Sequence, residues 1–157
     1  MQRYTFIDTQ TRAKLEDWTD RVVARIRTEL HNQNVNASGN LSGSVEGVVG
    51  DDSIQILADN YFLYAEKGRD KGKIPRNFID IINQWIDDKG LQVPTGYKNQ
   101  RQFAAAIAFK IKNHGSHKWR NPVDRTDVVG GALSAELPEL NNIIQNRVVA
   151  YVNDNLF

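Results

Sequence analysis

Leu15, Trp18, Val22, Ile26 and Leu30 recur at steps of three and four, with polar residues between them, so residues 9 to about 34 are predicted to form one long amphipathic helix. Asp8 or Thr9 is placed to accept the first free backbone N–H groups, and Phe6 and Ile7 to pack back on the helix. Asn32 to Asn36 and the small residues Ala37 to Asn40 end it, because they compete with helix through side-chain bonds or backbone freedom. The period then changes to partial alternation in Ser44–Val49 and Ser53–Ala58, with Gly50-Asp51-Asp52 between them, which predicts a hairpin. Ile54 and Ile56 are expected to face the core, and Gly47 marks a bulge or a close backbone contact.

Four further helices are expected. Tyr61, Tyr64 and Ala65 share a helical face in a short helix ended by Gly68. Residues 76 to 89 place Phe78, Ile81, Ile82, Trp85 and Ile86 inside, with Gly90 as terminator. Residues 100 to 113 carry the stripe Phe103, Ile107 and Ile111, opened by Asn99 and Gln102 as a capping box and closed by Gly115. The last helix is expected over 138 to 155, with Pro138 in its first turn and Leu140, Ile144, Val148, Tyr151 and Val152 on its inner face. Gly115 to Leu137, holding Pro122 and Gly130-Gly131, reads as mostly loop. The fold class is therefore α+β, a long N-terminal helix and a small antiparallel hairpin covered by further helices including a long C-terminal one.

Composition narrows the chemistry. The 157 residues fit one domain, and 40% hydrophobic content supplies a core without staples. No Cys is present, which excludes disulfides, thiolate zinc sites and Cys nucleophiles. The longest strongly apolar run, Phe103 to Phe109, falls far short of the roughly 20 residues of a membrane helix. The start, Met1-Gln2-Arg3-Tyr4, has no apolar export segment, so a soluble, intracellularly made globular domain is expected.

Net charge is only +1, but it is uneven. Lys67, Arg69, Lys71, Lys73 and Arg76 stand within ten residues, opposed only by Asp70. A second basic segment, residues 110–125, holds Lys110, Lys112, Lys118, Arg120 and Arg125 against Asp124, together with His114 and His117. Such loops neutralise phosphates without reading sequence. The loop 67–76 has no interleaved aromatic, and Tyr97, Trp119 and the Lys118-Trp119-Arg120 triplet are the only candidates for a stacking or cation–π contact.

Catalytic patterns are weak. Gly39-Asn40-Leu41-Ser42-Gly43 has its serine one place late for a nucleophile elbow. Gly68-Arg69-Asp70-Lys71-Gly72-Lys73 has one residue too few between its glycines for a phosphate loop, and Ile74 stands where Ser or Thr would hold magnesium. His114 and His117, with Asp124 or Asp127, make an incomplete metal set, and the carboxylate pairs Glu16-Asp17, Asp51-Asp52 and Asp87-Asp88 fall on turns or helix surfaces. No enzyme, cofactor or metal is expected.

The middle of the chain resembles a known family. Ala37-Ser38-Gly39-Asn40-Leu41-Ser42-Gly43-Ser44-Val45 is similar to the (Ser/Thr)-Gly-x-Leu-x-x-Ser-(Ile/Val) signature of tail-completion, or neck, proteins of tailed bacteriophages, where it follows a long helix and opens a strand. Tyr64-Ala65-Glu66-Lys67-Gly68 resembles a shortened form of that family's Tyr…Glu-x-Gly segment, and a loop follows in both. The order of elements agrees over about residues 9 to 75. The family's basic residue after Leu is Ser42 here, its Pro-Phe-Leu-x-Pro-like segment is missing around Asn121-Pro122-Val123, and the helices over 76–113 look like an insertion in a single domain spanning 1–157.

The resemblance implies a virion structural protein, assembled in the host cytoplasm, that forms a homo-oligomeric ring in the head–tail neck. Its partners would be portal, connector and tail proteins and the genomic DNA in the channel, bound without sequence preference. Ser38, Gly39, Leu41 and Ser44 would form a structural turn. Tyr64, Glu66 and Gly68 would form a corner that aims the basic loop Lys67–Arg76 at a neighbour or at the lumen. The alternative is a small DNA-binding or packaging accessory protein acting through its basic loops, without a ring.

Overall fold

The computed structural model of the chain describes residues 6–33 and 39–156. Helix α1, Thr9–Asn32, buries the expected stripe: Leu15, Trp18, Val22, Ile26 and Leu30 are all buried. Asp8 caps it, its Oδ1 accepting from Thr11 N at 2.7 Å, and this bond holds the Asp8 carboxyl below the usual aspartate range. Phe6 meets the last helix. It stands edge-on to Tyr151, ring centroids 5.5 Å apart, with the Arg147 guanidinium over both rings.

A helical turn, α2 (Asn40–Gly43), precedes the hairpin of β1 (Glu46–Val49) and β2 (Ile54–Leu57), so the first strand opens two residues later than the sequence implied. The strands pair antiparallel in unbroken register, with Gly47 opposite Ile56 and Val49 opposite Ile54. The turn closes through Gly50 N donating to Ser53 O at 2.7 Å. Arginines from α1 bind both ends of the ribbon: Arg12 donates to Val49 O at 3.1 Å and Arg27 to Val45 O at 2.8 Å.

Of the two readings of Gly47, close contact is the right one. The unbroken register excludes a bulge, and a Cβ built there would stand 2.2 Å from Thr19 Cγ2 and 3.2 Å from Val23 Cγ2. Thr19 cannot swing away freely, since its hydroxyl donates to Leu15 O at 2.7 Å inside the core. Gly47→Ala is therefore expected to destabilise the fold by about 1–3 kcal/mol through overpacking. Thr19→Ser, which removes the obstructing methyl and keeps the hydroxyl, is expected to recover most of that loss. Equilibrium urea denaturation of the two single variants and the double variant measures the coupling.

Helix α7, Val128–Leu156, begins ten residues before the expected start and takes in residues assigned to loop. Val128, Ala132, Glu136 and Ile143 are buried at helical spacing, and packing of α7 on α1 outweighs the low helix propensity of Gly130-Gly131. Pro138 lies inside the helix, where it withholds an N–H from the Ser134 carbonyl. Two residues earlier the backbone is anchored sideways, the Trp18 indole donating to Glu136 O at 2.8 Å. The Glu136 carboxylate accepts from Arg25 at 2.5 Å and Arg21 at 3.2 Å, and these bonds hold it below the usual glutamate range. The inner face is also not the expected one, since Ile144 and Val148 are exposed.

These elements make one compact body from residues 6–32, 42–58 and 128–156. Gln33, residues 39–41 and Asp59–Asp127 make a second. It contains α3 (Tyr61–Lys67), α4 (Phe78–Asp88), α5 (Gln100–His114), α6 (His117–Arg120) and a 3-10 turn (Pro122–Asp124). Helices α4 and α5 pack as a pair, Phe78, Ile82 and Ile86 against Ala104 and Ala108, with Phe103, Ile107 and Ile111 only partly buried around them. The cap of α5 is offset by one residue: Asn99 Oδ1 accepts from Gln102 N at 2.9 Å, but Gln102 Oε1 accepts from Lys98 N at 2.6 Å. The chain is thus α+β, with a long first helix, a two-stranded antiparallel sheet and a long last helix. Among the described residues no helix is long and apolar enough to cross a membrane.

Candidate interaction surface of the second body

The basic loop begins at the corner. Helix α3 ends where Gly68 turns to φ 78° and donates its N–H to Tyr64 O at 3.0 Å. A Cβ at Gly68 would lie 2.5 Å from both Ser116 Oγ and Trp119 N, so the corner also fits closely against α6. Within it, Glu66 is buried and Tyr64 is exposed, and Phe62 with Ala65 forms the buried face expected of Tyr61 and Tyr64. The aromatic pair instead looks outward.

Past Gly68 the loop is pinned rather than free. Arg69 N donates to Ser116 Oγ at 2.8 Å, Ser116 N returns a bond to Arg69 O at 2.8 Å, and Gly72 N donates to Lys112 O at 2.8 Å. The loop and the second basic segment are therefore hydrogen-bonded neighbours. Arg69 is held in the packing, its guanidinium 4.7 Å from the Tyr64 ring and 5.2 Å from the Phe78 ring while donating to Lys73 O at 3.2 Å. Lys67, Lys71, Lys73 and Arg76 remain exposed.

The second segment divides the same way. Lys118 Nζ donates to Ala65 O at 2.7 Å, and burial draws its pKa below the usual lysine value despite the opposing charge of Glu66. Arg125 stacks 5.2 Å over Trp119 and donates to the carbonyls of Lys118 and Trp119, both at 3.2 Å, closing the end of α6. Arg120 is exposed. Tyr97 packs on Phe103 with ring centroids 5.0 Å apart. His117 faces Asp124 at 2.9 Å, and among the described residues no group of three or more His, Asp or Glu stands together as a metal set would require.

Of the turn motif, Ser38 lies outside the described residues. Gly39 takes φ 84°, Leu41 is buried in α2, and Ser44 follows it directly before the buried Val45.

One feature has no counterpart in the sequence reading. A cleft of about 580 Å3 opens in the second body, lined by Phe78, Ile82, Trp85, Ile107 and Ile111. Tyr61, Tyr64 and Ile81, all exposed, extend its apolar surface. Around them stand Arg69, Lys89, Lys110, Lys118 and Arg120, and no acidic residue is among its described lining. The available signal was an excess of apolar residues on α4: Ile81 and Trp85 widen its stripe beyond what the Ala104–Ala108 face of α5 covers.

Charge separates with the two bodies. The described residues of the first count six Lys and Arg against eleven Asp and Glu, and those of the second thirteen against eight, or −5 and +5. Compared with protein-family models, with curated proteins and with solved structures, the chain matches none of them.

Proposed function

We propose that the chain is a structural subunit of the head–tail neck of a tailed bacteriophage, repeated in a ring that joins portal to tail and surrounds the DNA channel. The observation that carries this reading is the pinned basic loop. A close-packed glycine corner, Tyr64 to Gly68, leads into a segment tied to α5 and α6 that leaves Lys67, Lys71, Lys73 and Arg76 in solvent. A loop fixed in this way holds its charges in place without further ordering cost, and repetition around a ring multiplies a weak field into a strong one. Contacts made through phosphates suit a passing genome, because they carry no sequence information.

The opposed charges of the two bodies support the ring itself. A head-to-tail contact joins two different patches of the same chain, and unlike charge favours that pairing over like-with-like. The neighbours in this reading are portal, connector and tail proteins.

The test reverses the loop's charge while leaving its anchors alone. Lys71→Glu with Lys73→Glu alters two exposed side chains, so circular dichroism and melting of the subunit are expected to stay unchanged. Particles assembled with that variant are expected to lose DNA retention or to stall in neck assembly, read by electron microscopy and by nuclease accessibility of the genome. Unchanged particles overturn the lumen assignment. Salt-dependent DNA binding by an isolated monomer that never associates supports the accessory-protein reading instead.

A further inference from the structure

Helix α7 turns one face toward α1 and leaves another open. Leu137, Ile144 and Val148, spaced by seven and four, form a single ridge along the helix and are 44%, 37% and 43% exposed. Three aligned apolar side chains with no cover are an interaction feature rather than scattered surface residues. This ridge is convex and belongs to the body of charge −5.

The cleft of the second body is its complement in both respects. It is concave, floored by Phe78, Ile82 and Trp85, and of a volume, about 580 Å3, suited to taking in several apolar side chains. Five cations and no described carboxylate line it, within a body of charge +5.

We infer that the ridge Leu137–Ile144–Val148 of one copy docks in the α3–α4–α5 cleft of a second copy. The inference rests on the ring reading and supplies its head-to-tail contact. Apolar burial in the cleft holds the pair. The charge difference between the bodies orients the approach and disfavours ridge-to-ridge or cleft-to-cleft encounters. Because every copy keeps one free ridge and one free cleft after pairing, addition continues until the assembly closes.

Two single variants of the full chain test it. Val148→Lys places a cation on the ridge, where it would meet the five cations of the cleft, and Ile81→Lys adds a further ammonium at the exposed margin of the cleft, where residue 81 is 41% exposed, so both are expected to fold. Sedimentation velocity is expected to show each variant alone as a monomer at concentrations where the unaltered chain associates. Mixed, the two are expected to form dimers and nothing larger, because the intact cleft of the Val148→Lys copy accepts the intact ridge of the Ile81→Lys copy while the two altered surfaces repel. As the chain has no cysteine, Val148→Cys and Ile81→Cys copies give a second readout. Oxidation of their mixture is expected to yield far more linked dimer than either alone.

Association that both Lys variants leave intact, or cross-linking as efficient between like copies as between unlike ones, overturns this contact while leaving the ring reading standing. A parent chain that never associates, alone or with connector components, overturns both.

Discussion

Gly68→Ala is expected to cost about 3 kcal/mol or more and to release the basic loop from its anchors. Two penalties combine at this residue. A φ of 78° is a conformation that an L side chain adopts only with strain, worth about 1–3 kcal/mol. The new methyl would also stand 2.5 Å from Ser116 Oγ and from Trp119 N, and the second of these is backbone within α6. Relief requires the corner to move away from α6, which breaks the paired bonds between Arg69 and Ser116. Denaturant titration is expected to show the loss in stability, and limited proteolysis new cleavage between Arg69 and Arg76. Gly39→Ala is the control. Its φ of 84° is as demanding, but no described residue lies within 4 Å of the added atom, so the conformational cost of about 1–2 kcal/mol is what is expected. Equal effects at the two glycines would show that close packing against α6 contributes nothing.

The second large effect is expected at Trp18. Its side chain is 3% exposed, and Trp18→Ala removes the bulkiest group between α1 and α7, a change expected to cost about 3–5 kcal/mol. Part of that is the indole bond to the Glu136 carbonyl. Trp18→Phe keeps most of the apolar volume but leaves this carbonyl without its indole donor, at an expected cost of about 1–3 kcal/mol. Thermal and urea unfolding followed by far-UV circular dichroism measure both. A Phe variant as stable as the parent would show that the bond is replaced at no cost by water.

The parts of this fold legible in the sequence are those decided by local pattern. The stripe of α1, the hairpin around Gly50 and the glycine stops at Gly68, Gly90 and Gly115 each follow from residues within a few positions of one another. What escaped depends on partners distant along the chain. Gly130-Gly131 and Pro138 are breakers by propensity, yet α7 runs through them because Val128, Ala132, Glu136 and Ile143 are buried where it packs on α1. Phe103, Ile107 and Ile111 matched the helical period of α5, but Ala104 and Ala108 form its buried face, since only small side chains let α4 approach so closely. The cationic loop was visible as composition. That Arg69 is spent on the Tyr64 and Phe78 rings while Lys71 and Lys73 stay in solvent is a tertiary fact, as is the cleft between helices that each looked merely amphipathic.

The interleaving of the two bodies sets an order of events during synthesis. The first body needs α1, the hairpin and α7, whereas the second is complete once residue 127 has been made. On a ribosome adding residues one after another, the later-starting unit therefore acquires its core first. Leu15, Trp18 and Val22 must meanwhile wait for the last helix. A chain released just past residue 127 thus carries every residue of the second module, and an amphipathic helix whose apolar stripe lacks the cover of α7, the form in which a holding chaperone has most to bind.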